Sequence, residues 1–316
     1  MYRDKKISLV IPAHNEERLI IPTLEAVPPF VDRVFIIDDA STDTMPQKVK
    51  EYAEKNNRVE LISHEKNLGV GQAIINGYER SIQEAFDIAV VIGGDNQMPL
   101  DEMQYLLDPI IDGRADYVKG NRFLIEGNVF ENMPKIRQIG NTVITLMTKI
   151  ASGYFKVYDV VDGYTAINRK ALNTVNWKKA WKGYGYPMDF LIRLNAYSLK
   201  VLDVPRTEIY LEGERQSQIK GLSYAMKVTP MLVRGFIWRL FKKYLFRDFH
   251  PLFLLYITGT LFFTLGSFMS IMLVVWRYTQ YGKTTAERAV LAAILLIIGL
   301  QSIFFAMLFE MQQENS

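Results

Sequence analysis

The chain has 316 residues, 49% hydrophobic and 22% charged, a composition typical of a folded protein and not of a disordered one. It has no Cys, and its three His lie far apart in the sequence, which excludes disulfides, a cysteine nucleophile and thiolate metal sites and argues against a His-rich zinc site. The net charge of +3 is uneven, because residues 221–316 are basic and apolar, a pattern that indicates a membrane partner and no nucleic acid.

The first 220 residues alternate strand and helix signals. Short apolar runs predict strands at 7–12, 34–37, 59–63 and 88–92, and another that begins at 117. Helical patterns start near Glu16, after Asp43, at 71 and at 100. Repeated strand–loop–helix units predict an α/β fold with a mostly parallel sheet, whose ligands bind beyond the carboxyl ends of the strands.

Three polar clusters follow three of these strands: PAHNEE at 12–17, DDASTD at 38–43 and GGDNQ at 93–97. Each alone could be only turn or helix-cap chemistry. Together, at one edge of a sheet, they offer carboxylates and amides to a ribose, a base and a metal. The sequence has no P-loop motif, and no Gly-x-Gly-x-x-Gly follows the first strand, which argues against a dinucleotide site there.

Two C-terminal segments without charge, residues 252–276 and 289–309, are long enough to cross a bilayer. The alternative, a pair of buried core helices, is disfavoured by their length. Lys and Arg are more frequent before the first span than between the spans, and absent after the second, which places the N-terminal domain in the cytoplasm and both ends of the hairpin inside. The N-terminus runs straight into a strand, so nothing there suggests export. Gly259 and Gly266 are compatible with helix packing and a homo-oligomer.

Residues 223–249 interleave aromatic and basic side chains, among them Phe236, Trp238 and Arg239. We expect an amphipathic helix in the lipid headgroup layer, broken or kinked at Pro230. The alternative is an ordinary amphipathic helix packed on the soluble domain. The predicted organisation is therefore a soluble domain at 1–220, interfacial helices at 221–250 and a transmembrane hairpin at 251–310.

The motifs IPAHNEE, DDASTD, NLGVGQAIINGY, GGDNQ and KGNRF resemble, in order and spacing, those of the inverting family-2 glycosyltransferases with a GT-A fold. The chain looks most like the polyprenyl-phosphate glycosyltransferases of the dolichol-phosphate mannose synthase type, over about residues 6–220, and two C-terminal spans are typical of many members. The resemblance implies a membrane-bound enzyme that moves one sugar from a UDP- or GDP-sugar to a polyprenyl or dolichyl phosphate with inversion.

The resemblance also implies a donor site. The residues expected to bind the nucleotide-sugar are Pro12, Ala13, His14, Asn15, Glu16, Asp38, Asp39, Asn67, Gly94 and Asp95. His14 replaces the usual aromatic residue and can still stack on a base. For Gly69, in the Asn-x-Gly loop, packing of a helix start is an equal alternative.

The metal motif departs from the family's Asp-x-Asp-x-Gln, because Gly93 replaces the first Asp. Asp95 and Gln97 match the second Asp and the Gln, and are the expected ligands of Mg²⁺ or Mn²⁺. Since a diphosphate and waters can complete an octahedron, we expect a metal that arrives with the sugar nucleotide. A metal-independent or degenerate site is the alternative.

On the acceptor side, the residues that match the family are cationic or polar, as phosphate recognition requires. The expected contacts of the acceptor phosphate are Arg122, Arg137, Asn141, Arg215, Ser217 and Lys220, and the expected catalytic residues are Asp95, Arg122 and Arg137. A lipid phosphate is largely ionised at neutral pH, its second pKa being about 6, and needs little or no general base.

Other acidic residues have two interpretations each. Asp159 matches a family Asp and either faces the acceptor or orders its turn, and Asp162 stands where the family has Ser. Asp189 is a candidate base, but a helix N-terminal acid is the favoured interpretation. LDVP at 202–205 resembles a structural strand of the family.

Two alternatives for the function remain open. A basic carboxylate at Asp189 or Asp162 would favour a family-2 enzyme that acts on a glycolipid or glycan hydroxyl. Gly93 would favour a catalytically degenerate membrane protein that only binds a nucleotide-sugar. A transporter is disfavoured because the predicted spans hold no ionisable residue.

Overall fold

The computed structural model describes residues 1–124, 135–207, 209, 221–246, 249–279 and 285–314. In the two helices that begin at 135 and 221, it describes side chains from 140 and from 224 onward. The described chain forms two compact units, Met1–Phe236 and Ile237–Ser316.

The first unit contains one seven-stranded sheet. Its strands are β1 (Ile7–Ala13), β2 (Arg33–Asp38), β3 (Val59–Ser63), β4 (Ile88–Val91), β5 (Tyr117–Asn121), β6 (Thr165–Asn168) and β7 (Val201–Pro205). Their order across the sheet is β3-β2-β1-β4-β6-β5-β7. Only β6 runs antiparallel to its neighbours, so the predicted mostly parallel sheet is confirmed.

The direction of β6 matters for the site. Because β6 runs against β4 and β5, its first residue lies at the edge where β4 and β5 end. The segment that leads into β6, residues 158–164, therefore reaches the same edge as the loops after β1, β2, β4, β5 and β7. Ligands of such sheets bind at this carboxyl edge.

Helices cover both faces of the sheet. In the first unit they are α1 (Ile20–Glu25), α2 (Met45–Lys55), α3 (Val70–Gln83), α4 (Met103–Ile111), α5 (Lys135–Ser152), α6 (Arg169–Thr174) and α7 (Tyr186–Ala196). Two hydrophobic clusters result, because successive side chains of a strand point to opposite faces. Val10 and Ala89 belong to one cluster, and Leu9 and Val90 to the other. Such double burial explains why the strands are continuous apolar runs.

Two helix starts differ from the prediction. The first helix begins at Ile20, after a turn at residues 17–19 in which the N–H of Ile20 donates to the Glu16 carbonyl (3.0 Å). The helix expected from 100 opens as a 3₁₀ turn, Leu100–Glu102, before α4. Asp43 does act near the start of α2, where its side chain accepts the N–H of Met45 (3.1 Å).

The helix before the membrane spans, α8 (Gly221–Leu240), is not broken at Pro230, which was one of the two expected effects of that proline. It continues through Pro230, whose ring is exposed. Val228, Met231 and Leu232 on either side of the proline are buried in the core of the first unit. Tertiary packing therefore keeps the helix continuous. This part of the segment packs on the soluble domain, as in the alternative interpretation.

The second unit is dominated by α9 (Pro251–Tyr278) and α10 (Ala286–Glu314), which follow a π-helical turn at Phe241–Leu245. Within the described residues, these are the two helices long and apolar enough to cross a membrane. Gly259 and Gly266 pack against α10, so the helix packing expected at these glycines is present between α9 and α10.

The position of Arg239 differs from the expectation that the basic side chains of residues 223–249 lie in the lipid headgroup layer. It is fully buried and not directed at headgroups, because its guanidinium pairs with the Glu310 carboxylate near the end of α10. The hydroxyls of Tyr244 and Tyr256 donate to the same carboxylate, at 2.7 and 2.9 Å.

Candidate functional site

The loops after β1 and β2 are joined by hydrogen bonds. Asn15 adopts a left-handed conformation (φ 58°), its N–H donates to Ser41 Oγ (2.9 Å), and its side-chain oxygen accepts the N–H of Thr42 (2.8 Å). The ring of His14 donates through Nδ1 to the backbone carbonyl of Asp39 (2.9 Å). The structure thus brings together the first two polar clusters of the sequence. The side chains of His14 and Asn15 are exposed there.

A cavity of about 360 Å³ lies beside this junction. Its lining combines charged and polar residues of both loops: Asn15, Glu16, Glu17, Arg18, Leu19, Thr42 and Asp43. The volume is within the range of small-molecule sites. Two of the predicted donor residues, Asn15 and Glu16, therefore line an open cavity, whereas Ala13 is buried at the strand end.

Asp39 is buried and its carboxylate has three partners. One oxygen accepts from His64 Nδ1 (2.8 Å) and the N–H of Leu68 (2.7 Å), and the other accepts the N–H of Gly69 (2.8 Å). Asp38, also buried, accepts the N–H of Ser41 (2.9 Å). Asp39 thus fixes the loop that carries the exposed Asn67.

His64 was missed by the sequence reasoning. Its Nδ1 must carry the proton, because Asp39 can only accept, and its Nε2 then accepts from the side-chain amide of Asn76 (2.8 Å). Asn76 lies on α3, so the histidine connects the loop after β2 to that helix. The signal was weak, since a single His after a strand has no spacing that identifies a partner.

The start of α3 explains two glycines of the NLGVG motif. Gly69 has φ +94°, and a Cβ there would lie 2.5 Å from the carbonyl oxygen of Lys182. The same carbonyl accepts the N–H of Gly71 (2.7 Å). The segment 181–183 therefore packs directly on this helix terminus, in agreement with the packing alternative for Gly69.

Asp95 follows β4 and is partly buried, which raises the pKa of its carboxyl. A Cβ at Gly93 would lie 2.8 Å from Asp95 Oδ1, so the Asp95 carboxylate occupies the space beside the residue that replaces the family's first Asp. Gly94 lies close to the end of β1, since a Cβ there would be 3.3 Å from the Cβ of Ala13.

The metal-ligating oxygens at Asp95 and Gln97 can be compared with the ligands that a divalent cation requires. Among the residues that the structure describes, no group of three His, Asp or Glu could hold a metal by itself. Asp95 and Gln97 offer one carboxylate and one amide oxygen, both hard ligands. This set fits a cation that takes most of its ligands from a diphosphate and water, and does not fit a permanent all-protein site.

A buried ionic cluster lies at the ends of β5 and β7. Arg122 Nε and Nη2 donate to the two oxygens of Asp159, at 2.7 and 3.1 Å. Arg206 donates twice to Asp162 Oδ2, at 2.8 and 2.6 Å, and that oxygen is 3.4 Å from Arg122 Nε. Lys119 is fully buried and donates to the carbonyl of Asp162.

Burial and charge act in opposite directions in this cluster. Burial alone would raise the pKa of Asp159, but the charges of Arg122, Lys119 and Arg206 together outweigh it and hold that pKa below its ordinary value. Burial lowers the pKa of Lys119. Asp203, on β7 beside Lys119, has its pKa raised to about 6 by burial. The sequence reasoning missed Lys119, Asp203 and Arg206 as parts of the site, although a Lys in an apolar strand was a signal.

The remaining predicted acceptor residues are only partly described. Asn141 is half-buried on α5. Arg137 lies on the same helix, with its side chain outside the described residues. Arg215, Ser217 and Lys220 also lie outside the described residues.

Asp189, the candidate base, is buried in the first turn of α7. Its Oδ2 accepts the N–H of Trp181 (2.8 Å) and pairs with Arg193 Nε (2.6 Å). This pattern is that of a structural acid at a helix start.

The known proteins and family models that this chain resembles are glycosyltransferases. The family model "Glycosyl transferase family 2" matches residues 8–175, and the model "Glycosyltransferase family 2 C-terminal transmembrane region" matches residues 241–313. A UDP-N-acetylglucosamine–dolichyl-phosphate N-acetylglucosaminyltransferase of Methanococcus voltae is 32% identical over 222 residues, which cover 66% of this chain and 88% of the relative. A polyprenol monophosphomannose synthase of Mycolicibacterium smegmatis is 25% identical over 234 residues, 72% of this chain and 87% of that protein.

Solved structures agree on the fold. Glucosyl-3-phosphoglycerate synthase from Mycobacterium tuberculosis, in complex with Mn²⁺, UDP and phosphoglyceric acid, superposes with a TM-score of 0.52 at 19% identity, over 75% of this chain and 78% of that one. The likeness at this identity concerns the fold, which is the predicted GT-A type. With a family model across more than half of the chain, a second one over its two apolar helices and a relative above 30% identity, the chain belongs to glycosyl transferase family 2 and is a membrane-associated glycosyltransferase.

Proposed function

We propose that this enzyme transfers one sugar from a UDP- or GDP-sugar to a polyprenyl or dolichyl phosphate, with inversion, at the cytoplasmic face of a membrane. The observation that carries the proposal is Arg122, a guanidinium held on the Asp159 carboxylate at the same sheet edge as the nucleotide loops. The relatives named above act on dolichyl or polyprenyl phosphate according to their names, which supports this acceptor class.

On the donor side, the cavity at Asn15 and Glu16 and the loop fixed by Asp39 are the proposed nucleotide contacts. Asp95 and Gln97 would hold Mg²⁺ or Mn²⁺ together with the donor diphosphate. Such a cation, when bound, supplies positive charge to the leaving diphosphate. Structural relatives were crystallised with Mn²⁺ or Mg²⁺ and UDP, which supports a divalent cation of this kind.

The reaction requires two anions to approach each other. A phosphate oxygen of the acceptor forms a bond to the anomeric carbon while the bond from that carbon to the diphosphate oxygen breaks, and the diphosphate leaves with the electron pair. Attack from the opposite face inverts the centre. Arg122, oriented in advance, offsets the charge of the approaching phosphate at no cost of reorganisation.

A hydroxyl acceptor, the runner-up, would need a general base. Both candidate bases are already paired, Asp189 with Arg193 and Asp162 with Arg206. The carboxylate oxygen that accepts from the guanidinium in each pair is therefore not free to take a proton from an acceptor hydroxyl. A phosphate acceptor needs no such base, since its second pKa is about 6.

The test is sugar transfer by the purified full-length protein in detergent. The assay supplies a polyprenyl phosphate, Mg²⁺ or Mn²⁺, and a panel of radiolabelled UDP- and GDP-sugars. We expect a labelled, acid-labile lipid with one donor, and a loss of about 10²–10³-fold in kcat for Asp95→Asn and for Arg122→Ala.

The matched control is Arg114→Ala. Arg114 is an exposed arginine that pairs with Asp112 after α4, away from the described site, and its loss should leave transfer unchanged. Labelled product with a glycolipid or glycan hydroxyl, and none with the lipid phosphate, would move the function to the runner-up. Nucleotide binding without transfer to either acceptor would indicate a degenerate binding protein.

A further inference from the structure

Arg122 is held by a closed ring of contacts that includes Asp203. Asp203 Oδ2 accepts the side-chain amide of Asn121 (2.8 Å) and the backbone N–H of Tyr158 (2.8 Å). Asn121 precedes Arg122 in the chain, and Tyr158 precedes Asp159. The bidentate contact between Arg122 and Asp159 closes the ring. One carboxylate oxygen thus connects the two backbone segments that present the two partners of the ion pair.

The ring contains one guanidinium and two carboxylates, and part of it is buried. Asp159 is 1% exposed and Asn121 is fully buried. The charged groups that act on Asp203 are Lys119, beside it on β5, and Asp159, in the turn before β6. The other oxygen of Asp203, Oδ1, is buried and has no hydrogen-bond partner among the residues that the structure describes. A carboxylate in this position is costly, so it needs an explanation beyond the packing of a strand.

We infer that Asp203 is a positioning residue for the transfer reaction: its negative charge fixes the Tyr158 turn and the end of β5, and so holds Asp159 and Arg122 in the geometry that receives the acceptor phosphate. The inference rests on the proposed function, in which Arg122 contacts that phosphate. It replaces the expectation that the LDVP strand is only structural.

Asp116 is the natural comparison. It lies just before β5, at the opposite edge of the same sheet, and also connects neighbouring segments, by accepting from Asn168 (2.9 Å) and from the N–H of Lys200 (3.0 Å). Its pKa is lowered, because these donors and Lys170 outweigh the effect of burial, whereas that of Asp203 is raised. The two carboxylates therefore share a structural role but differ in charge balance and in distance from Arg122.

The experiment compares Asp203→Asn and Asp116→Asn in the full-length enzyme between pH 5 and 8. Asn keeps the shape of Asp203 and one acceptor oxygen but removes the charge. We expect kcat/KM for the lipid phosphate to be about tenfold lower than wild type at pH 7.5, with the donor KM unchanged. The wild-type-to-variant ratio should fall towards one as the pH drops through about 6, where Asp203 itself takes up a proton.

The acceptor phosphate also titrates near pH 6, so the pH profile of one protein alone would mix two titrations. The wild-type-to-variant ratio cancels that of the phosphate, because it is the same for both proteins. Stability gives a second readout of opposite sign. A pKa raised above the unfolded value means that the charged form of Asp203 destabilises the fold at neutral pH and not below about pH 4. Asp203→Asn should therefore melt at a higher temperature than wild type at pH 7.5, while it transfers less.

Each outcome is decisive. A ratio for Asp203→Asn that stays flat with pH, a variant with wild-type transfer, or one that melts lower or does not fold would overturn the inference. Asp116→Asn should melt lower and show a pH-independent ratio near one. If the wild-type enzyme transfers no sugar to the lipid phosphate, the proposed function is wrong. Failure of the proposed function is thereby distinguished from failure of the inference about Asp203.

Discussion

The Asp39 carboxylate shows how a motif residue can act without an open contact of its own. The sequence placed it among the nucleotide ligands, and that assignment remains a prediction. In the structure its two oxygens accept from His64, Leu68 and Gly69, so its direct effect is to shape the loop that carries Asn67. Side chains that line the cavity, such as Asn15, are therefore distinct from side chains, such as Asp39, that hold the surrounding loops in place.

Gly69 gives a test of this loop at the same scale. Gly69→Ala should lower the free energy of unfolding by about 1–3 kcal/mol from backbone strain alone, and by more from the contact with the Lys182 carbonyl. Gly113→Ala is the matched control, since Gly113 also has a positive φ (+73°) but nothing lies within 4 Å of its added Cβ. Denaturant unfolding of both variants measures the difference, and equal losses would show that the contact at Lys182 contributes nothing.

At the scale of elements, the second unit is held by a buried polar cluster. Arg239 at the end of α8 pairs with Glu310 near the end of α10, and Tyr244 and Tyr256 donate to the same carboxylate. Within the second unit, the cluster therefore connects residues 239–244 to both apolar helices. Close glycine contacts, such as that of Gly266 with Leu296, complete the packing between α9 and α10.

Breaking this ion pair should be costly, because it leaves a buried charge without its partner. Glu310→Gln keeps an acceptor oxygen for only one of the two tyrosines and leaves Arg239 uncompensated, and should cost about 3–5 kcal/mol. The measurement is unfolding of the detergent-solubilised protein, with Glu287→Gln, an exposed acid in the first turn of α10, as the control.

The double variant Arg239→Met/Glu310→Gln checks the cause. It removes both charges, so it should be more stable than Glu310→Gln alone. If the double variant is as unstable as the sum of the single ones, the two charges do not interact and the cluster is only a set of packed side chains.

For the whole molecule, the two apolar helices and the family model over them indicate a membrane protein, and the orientation remains a prediction. The natural chain has no Cys, so single cysteines can report it. In sealed inverted vesicles, Glu65→Cys in the catalytic domain and Ser316→Cys at the C-terminus should react with an impermeant maleimide. Lys283→Cys, between the spans, should react only after detergent is added. Labelling of Lys283→Cys in sealed vesicles would contradict a cytoplasmic catalytic domain.

Much of this protein follows from the sequence alone. The short apolar runs and the polar residues after them identified β1, β2 and β4 and the edge where their loops meet, because strand burial and turn chemistry are local properties. The two uncharged segments identified the apolar helices for the same reason, since their length is compared with a fixed bilayer thickness.

Only the tertiary structure decided which charges are partners. Asn121 and Asp203 are 82 residues apart, and nothing in LDVP indicates that its acid reaches the end of β5. The antiparallel β6 brings Asp159 to Arg122, and core packing carries α8 through Pro230. The burial of Arg239 likewise depends on Glu310, 71 residues later. Such contacts depend on the free energy of burying matched groups, which is set by the assembled fold and not by any local pattern.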